Sequence, residues 1–403
     1  MRILLVNHFP LEGSGSGTYT MNTAQHLAKR GNQVCVVLPE NRSPAPVEGV
    51  ELRPVYFTPD DGPAPAPDAL PFNFPCFTTH PRSLTAFGDL TDQQLDQYLT
   101  AFAAAIHDAV RTFRPDIIHA QHVWLLACLA ARTGLPTVLT AHGTDMMGYR
   151  KWPRLRPLAD EAVERCRRII AISRDNYEDT VATIPAAAPK MVLLLNGYNE
   201  DVFYRERLSR EALLANHGVP YDGQRIVLFA GKLTGFKGVD TLLRAAARYE
   251  ATAPDVITLL AGSGEEAEPL AALQAELGLR RTYFLGHQQQ ADLRQLYNIA
   301  DIFVMPSRRE PFGLVALEAM ACGLPVVATN QGGLVEFVNS QVGALVPVDD
   351  EAALADAVLA ELARNQADPQ RGDRIAEKVL EDYAQSKFVV RLEKLYRDVL
   401  DSE

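Results

Sequence analysis

Cysteine is scarce: five residues in 403, dispersed at Cys35, Cys76, Cys128, Cys166 and Cys322, with no Cys-x-x-Cys pair and no Cys/His cluster at metal-ligand spacing. That usage excludes a disulfide framework and a structural zinc site. Long apolar runs are missing too. Nothing approaches the roughly 18 uninterrupted apolar residues of a membrane-spanning helix, and the run after Met1 is too short for a signal peptide. A cytoplasmic protein in a reducing compartment is expected. Positive charge is also in short supply. A net charge of -11 and a pI near 5.4 argue against a nucleic-acid partner, which requires a dense basic face. A nucleotide ligand, which needs only a few local charges, stays open.

What the chain has in quantity is alternation. Short apolar runs at residues 2–7, 33–38, 50–57, 116–119, 137–140, 168–172 and 191–195 are separated by helical patterns. The same rhythm returns at 226–230, 256–261, 282–285, 302–305, 325–328 and 344–346. Strands alternating with helices predict parallel, doubly wound sheets. The fold class is therefore α/β, with two Rossmann-like domains in tandem. Turn residues at Asn196-Gly197 place their boundary, giving domains at 1–195 and 196–380. Residues 381–403 end in an amphipathic helix, with Phe388, Leu392, Leu395, Tyr396 and Val399 on one face. That helix is expected to pack back on the first domain.

Segment 58–82 departs from this rhythm. It carries Pro59, Pro63, Pro65, Pro67, Pro71, Pro75 and Pro81, interleaved with Phe72, Phe74 and Phe77. Proline at that density excludes a helix or a central strand. A long loop follows, either a binding loop or lid or a plain surface excursion. A basic run from Arg150 and Lys151 through Arg154, Arg156, Arg165, Arg167 and Arg168 reads as a solvated helix face balanced by Asp160, Glu161 and Glu164. A phosphorylated acceptor or an anionic lipid surface is its other reading.

The most informative stretch is residues 300–325: a buried strand, a tight loop, then a helix opening near Phe312-Gly313. Ligands bind outside the carboxyl ends of such strands, and a helix amino terminus offers free amides and a positive dipole end to phosphate. Glu310 in the loop and Glu318 on the helix are placed to grip separate hydroxyls of one ligand; taken singly, each reads as a solvated acid. In the first half, Gly13-Ser14-Gly15-Ser16-Gly17 opens a helix, and His142 follows the strand 137–140. By themselves these are a flexible turn and a hydrogen-bonded structural histidine. His8, His119, His122 and His287 carry no assignment.

Glu310-Pro311-Phe312-Gly313-x-x-x-Leu317-Glu318-Ala319-Met320-Ala321-x-Gly323-x-Pro325 resembles the Glu-x7-Glu signature of family-four retaining glycosyltransferases. Asn196-Gly197 with Val202-Phe203, Ala261-Gly262-Ser263-Gly264, Phe284-Leu285-Gly286-His287 and Gly332-Gly333-Leu334-x-Glu336 are similar to further landmarks of that family, so the resemblance spans nearly the whole chain. It implies the GT-B fold, two doubly wound domains facing each other across a cleft, the first for acceptor and the second for donor. It implies that Glu310 contacts donor-sugar hydroxyls, that Glu318 holds the ribose, and that the amides of Phe312, Gly313 and Leu314 face the diphosphate and sugar. Lys232 and Lys237 resemble the paired cations for the pyrophosphate, with Lys232 standing where the family usually has Arg. The point charge of lysine lacks the bidentate fork of arginine. By the same resemblance, Gly15 and Gly17 lie near the donor phosphates, and His142 touches the donor sugar. His142, Glu310 and Lys237 form the expected catalytic set.

The implied function is transfer of a hexose, N-acetylglucosamine or glucose favoured, from a UDP-sugar to an acceptor hydroxyl with retention. Many glycosyltransferases hold a metal with Asp-x-Asp. None is present here, so no metal and no cofactor beyond the nucleotide-sugar co-substrate are expected. Preorganised donors on developing charge are worth about 2.7–4 kcal/mol each. The partners expected are a sugar nucleotide and a hydroxylated acceptor, with no nucleic acid and no transmembrane segment; peripheral membrane contact stays open. The competing readings are a GDP-mannose-dependent mannosyltransferase on a lipid or polysaccharide, a sugar-nucleotide epimerase, a sugar-nucleotide sensor, and an NAD-dependent dehydrogenase using Glu40 at the end of the second strand. The glycines after the first strand do not form G-x-G-x-x-G, which weakens the last.

Overall fold

A computed structural model describes residues 1–78 and 80–402, so Thr79 of the proline-rich segment and Glu403 lie outside it. The chain divides into two compact units. Unit 1 comprises residues 1–196 and the segment from Gln385 onward; unit 2 comprises residues 197–384. The second division falls at Ala384 rather than at 380. Residues 381–383 complete the helix Arg371–Tyr383, and the backbone opens only at Ala384 (φ -58°, ψ 142°).

Unit 1 is built on β1 (Arg2–Val6), β2 (Gln33–Glu40), β3 (Val50–Tyr56), β4 (Ile117–Gln121), β5 (Thr137–Ala141), β6 (Arg168–Ala171) and β7 (Met191–Leu193). Their order is β3-β2-β1-β4-β5-β6-β7, all parallel, with Val6 opposite Val37 on one side and Ala120 on the other. Side chains alternate across a strand, so β1 serves two cores. Leu4 and Val6 join Phe9, Phe102 and Trp124 on one face. Ile3 and Leu5 join Tyr19, Leu27 and the terminal helix Gln385–Leu400 on the other. That helix buries Phe388, Leu392 and Tyr396 completely. The Tyr396 hydroxyl lies 2.6 Å from His119 Nδ1, and Glu393 takes both arms of Arg30 at 3.1 and 3.0 Å.

Among its described residues the proline-rich segment has neither helix nor regular strand, and these residues are anchored rather than loose. Phe74 is fully buried and Phe77 nearly so. Asn73 donates to Asp60 and to the Arg82 carbonyl, while Arg82 pairs with buried Glu40 at 2.7 Å. The basic run is answered by acids, though mostly other ones than expected: Arg150 meets Asp179, Arg154 meets Asp92, and Arg165 meets Glu161.

Unit 2 repeats the design with β8 (Arg225–Ala230), β9 (Val256–Ala261), β10 (Thr282–Gly286), β11 (Ile302–Met305), β12 (Val326–Thr329) and β13 (Gly343–Val346). The order is β10-β9-β8-β11-β12-β13, again parallel throughout. Every strand expected from the sequence is present in the two sheets, with ends shifted by one or two residues, as hydrogen-bonded assignment of frayed ends allows. In each sheet the winding reverses beside the first strand, at β1/β4 and at β8/β11. Loops leaving the carboxyl ends of such a pair diverge and open a crevice for ligands.

Candidate functional site

In unit 2 the crevice lies between the loop after β8 and the loop after β11. The first runs through Gly231, Lys232 and Leu233 into a turn at Gly235–Lys237, then into the helix Val239–Thr252. Gly238 makes that entry with φ 63°, and a Cβ there would stand 2.0 Å from the Pro306 carbonyl oxygen. Only glycine permits both the left-handed backbone and this approach. The second loop leads from Met305 to Gly313, which is left-handed (φ 101°) and starts the helix Leu314–Ala321.

These loops bring two expected residues together. Lys237 Nζ lies 2.5 Å from Glu310 Oε2. Glu310 is buried, so its charge requires a partner. Arg308, two residues earlier, fastens the loops to each other. Its guanidinium takes Asp240 at 2.9 and 2.7 Å, Asp349 at 2.7 Å and the Gly235 carbonyl at 2.8 Å, and its amide donates to the Phe236 carbonyl at 2.8 Å. Gly332 and Gly333 back the same loop. The Gly333 amide donates to the Glu310 carbonyl at 3.0 Å, and a Cβ on Gly332 would meet that oxygen at 1.9 Å.

The amino end of the helix Leu314–Ala321 has no side-chain cap. The amides of Phe312, Gly313 and Leu314 have no partner among the described residues. Three amides beside a lysine form an anion-receptive corner. One turn further on, Glu318 is buried and makes no ion pair among the described residues. Burial pushes its carboxyl up to about 8, so at neutral pH it is an acid that both donates and accepts hydrogen bonds. Lys232 sits half-buried on the β8 loop, five residues before Lys237.

In unit 1, His142 follows β5, and the Gly143 backbone (φ 87°) turns the chain into the helix Thr144–Lys151. Its Nε2 lies 3.0 Å from Gln121 Oε1, which fixes the proton on Nε2 and leaves Nδ1 to accept. Burial drives the imidazole down to about 3, so it works as a neutral hydrogen-bonding group and not as a cation. Buried Asp145 holds the β4 and β5 loops in place by accepting from Val123 N at 2.9 Å and His142 N at 3.2 Å. His122, just after β4, adopts φ 69°, keeps a buried Nδ1 without a partner among the described residues, and sets its ring 4.7 Å from that of His142.

The two glycines expected at the phosphates part company. Gly15 begins the helix Gly15–Lys29 and is exposed. The Gly17 amide is occupied by the capping Ser14 Oγ at 3.0 Å. A Cβ on Gly17 would also stand 2.2 Å from the Pro10 carbonyl oxygen, so glycine is needed there for packing. Glu40, which the dehydrogenase reading needs for a ribose, is committed to Arg82.

Arg308, Asp240, Asp145 and Gln121 were not singled out in the sequence. Arg308 and Asp240 are 68 residues apart in the chain, and nothing local marks them as a pair. Asp145 gave a weak signal as an acid three residues after His142, at the start of a helix.

Two parallel sheets of this topology, each with its crevice loops, are the architecture of the GT-B fold. Comparison with known proteins agrees. The model for "Glycosyltransferase Family 4" matches residues 13–202, and that for "Glycosyl transferases group 1" matches residues 182–379. D-inositol 3-phosphate glycosyltransferase of Mycolicibacterium smegmatis is 33% identical over 398 residues, covering 91% of this chain and 84% of its own. The enzyme of that name from Saccharomonospora viridis is 33% identical over 387 residues, covering 88% and 84%. Among solved structures, sucrose-phosphate synthase from Thermosynechococcus elongatus superposes with a TM-score of 0.75 at 23% identity, covering 100% of both chains. Anabaena HepE in complex with UDP and glucose gives 0.74 at 20% identity, covering 98% and 99%. The chain belongs to the group 1, family-four glycosyltransferases and is an enzyme of that class.

Two predictions follow from the geometry. A double-mutant cycle on Lys237→Met and Glu310→Gln should return a coupling of about 0.5–3 kcal/mol in urea unfolding. Circular dichroism reports the whole chain in that experiment, while tryptophan fluorescence reports unit 1 alone, because Trp124 and Trp152 both lie there. Additivity within about 0.5 kcal/mol would show that the pair contributes nothing. The second concerns Glu318, which keeps its proton up to about 8 when folded, against 4.5 unfolded. The stability it contributes is fully present below 4.5 and is lost as pH rises through 8. Glu318→Gln should therefore flatten the fall in melting temperature between pH 6 and 9, and an unchanged profile would refute a buried, raised carboxyl.

Proposed function

We propose that this enzyme transfers a hexose, N-acetylglucosamine or glucose, from a UDP-sugar to a hydroxyl of a small polyhydroxylated acceptor, with retention and without a metal. The observation that carries the reading is the Lys237–Glu310 pair beside the uncapped amino end of the helix Leu314–Ala321. A cation, amides unpartnered among the described residues and an acid meet there as a sugar diphosphate requires. Lys237 and Lys232 meet the diphosphate charge. The amides of Phe312, Gly313 and Leu314 hold its oxygens, Glu310 accepts from sugar hydroxyls, and Glu318 bonds the ribose. In unit 1, Gly15 and neutral His142 keep the roles the family resemblance implies for them, toward phosphate and toward sugar. Gly17 acts by shaping the turn rather than through its amide.

In the reaction the acceptor oxygen bonds to the anomeric carbon as the bond from that carbon to the diphosphate breaks. The electron pair leaves with the nucleotide, and the acceptor proton passes to a leaving phosphate oxygen. No protein nucleophile is needed. Lysine and amides aimed at the leaving oxygen carry the stabilisation, about 2.7–4 kcal/mol for each such donor. A uridine nucleotide as the donor carrier is supported by the UDP complex of HepE, and a small phosphorylated cyclitol as acceptor by the names of the curated relatives. Among the described residues no helix is long and apolar enough to cross a membrane.

The test is transfer by the purified protein in EDTA, offered UDP-N-acetylglucosamine, UDP-glucose and GDP-mannose with D-inositol 3-phosphate, free inositol and simple hexoses. Product anomers are read by NMR. An α-linked product from a UDP-sugar is expected, with Glu310→Ala and Lys237→Ala lowering turnover at least a hundredfold. A β-linked product, a strict metal requirement, or near wild-type turnover in either variant would overturn the assignment.

A further inference from the structure

Away from the crevice, unit 2 carries a second concavity that the glycosyl-transfer reading does not use. It is a cleft of about 640 Å³, within the range of roughly 300–1,000 Å³ usual for small-molecule sites. Its lining includes Arg364, Arg371, Arg374 and Lys378, against one carboxylate, Asp368, with Gln341 at the edge. Arg371 opens the helix Arg371–Tyr383, and its side chain is 5% exposed.

Arg371 is the informative residue. Its Nη2 donates to Glu361, but Nε and Nη1 are buried with no hydrogen-bond partner among the described residues. A guanidinium is always charged and carries five donors. Leaving two of its nitrogens dry and unmatched is costly unless something supplies acceptors. Nearby acids supply only part of the need. Glu361 is itself buried and is shared between Arg364, at 2.7 Å, and Arg371. Asp368 takes Arg374, and Asp382 takes Lys378 at 3.1 Å. Four cations thus face three carboxylates, and the most deeply buried cation is the one with donors to spare. The helix amino end adds to the positive character, since Gln370 gives no side-chain cap.

We infer that this cleft is a binding site for a phosphoryl dianion, borne by free phosphate or by a small phosphomonoester. Arg371 forms its floor, and Arg374 and Lys378 form its rim. A dianion with several acceptor oxygens matches a fork-shaped donor better than a single carboxylate does. The helix that carries Arg371 also packs against the helix Leu314–Ala321, which bears Glu318. The site therefore has a direct structural neighbour in the donor crevice without sharing a residue with it.

Calorimetric titration of the full chain with inorganic phosphate, and separately with a hexose 6-phosphate, tests this. Arg374→Gln/Lys378→Gln removes the exposed rim cations and leaves buried Arg371 in place. Arg244→Gln/Arg248→Gln is the charge-matched control on another helix, and Lys237→Met removes the crevice cation. Wild type, the control and Lys237→Met should bind at least one of the two ligands, and the rim variant about tenfold or more weakly, with an unchanged circular-dichroism melt. Tighter binding of the hexose phosphate would identify a phosphomonoester site, and equal binding a site for the phosphoryl group alone. No binding to wild type, equal binding by the rim variant, or loss in Lys237→Met with retention in the rim variant would each overturn the inference.

Discussion

The organisation of unit 2 depends on a carboxylate that has been taken out of water. Glu310 sits 7% exposed at the mouth of the sheet, where an unpaired charge is not tolerated. Lys237 answers it from the neighbouring loop. That contact needs β8 and β11 side by side, a left-handed Gly238 against Pro306, and the Arg308 guanidinium tying both loops to Asp240 and Asp349. The order of the strands, the placing of the glycines and the ion-pair network all serve one short distance. Its result is a lysine, an acid and a set of unspent amides at one helix end, held before any ligand arrives. Preorganisation of this kind lets fixed donors act on developing charge with little reorganisation.

Unit 1 solves a different problem with different means. Its crevice side is rich in histidine and aromatic rings, and burial drives His8, His119 and His142 down to about 3 and lowers His122 as well. These are neutral hydrogen-bonding groups in an apolar setting, with Tyr98 and Tyr396 as partners of His8 and His119. The proline-rich segment belongs to this setting: Phe77 sets its ring 4.9 Å from that of His122.

Much of this was legible in the sequence because two signals were strong there. Period and length of apolar runs located every strand of the two sheets, since buried parallel strands must be continuously apolar. The Glu310-to-Glu318 stretch could be read because strand, loop, glycine and helix follow one another within a few residues. What escaped was non-local. Arg308 with Asp240, and Gln121 with His142, are matched across 68 and 21 residues, and no local pattern announces such pairs. Gly17 has two readings for a related reason. A glycine kept for close packing against Pro10 looks the same in sequence as one kept for a phosphate. The boundary at 380 was misplaced because the helix Arg371–Tyr383 and the terminal helix follow each other almost without a break.

The central claim is that unit 2 holds a sugar nucleotide between the loops after β8 and β11. Thermal shift of the purified protein in EDTA, against UDP-, GDP-, ADP- and TDP-sugars and NAD(P), tests it most directly. A ligand at 100 times its Kd stabilises by about 2.7 kcal/mol, which is readily seen as a rise in melting temperature. A rise with a UDP-sugar that disappears in Lys237→Ala is the result predicted here. A rise with NAD(P) and none with any sugar nucleotide would contradict it.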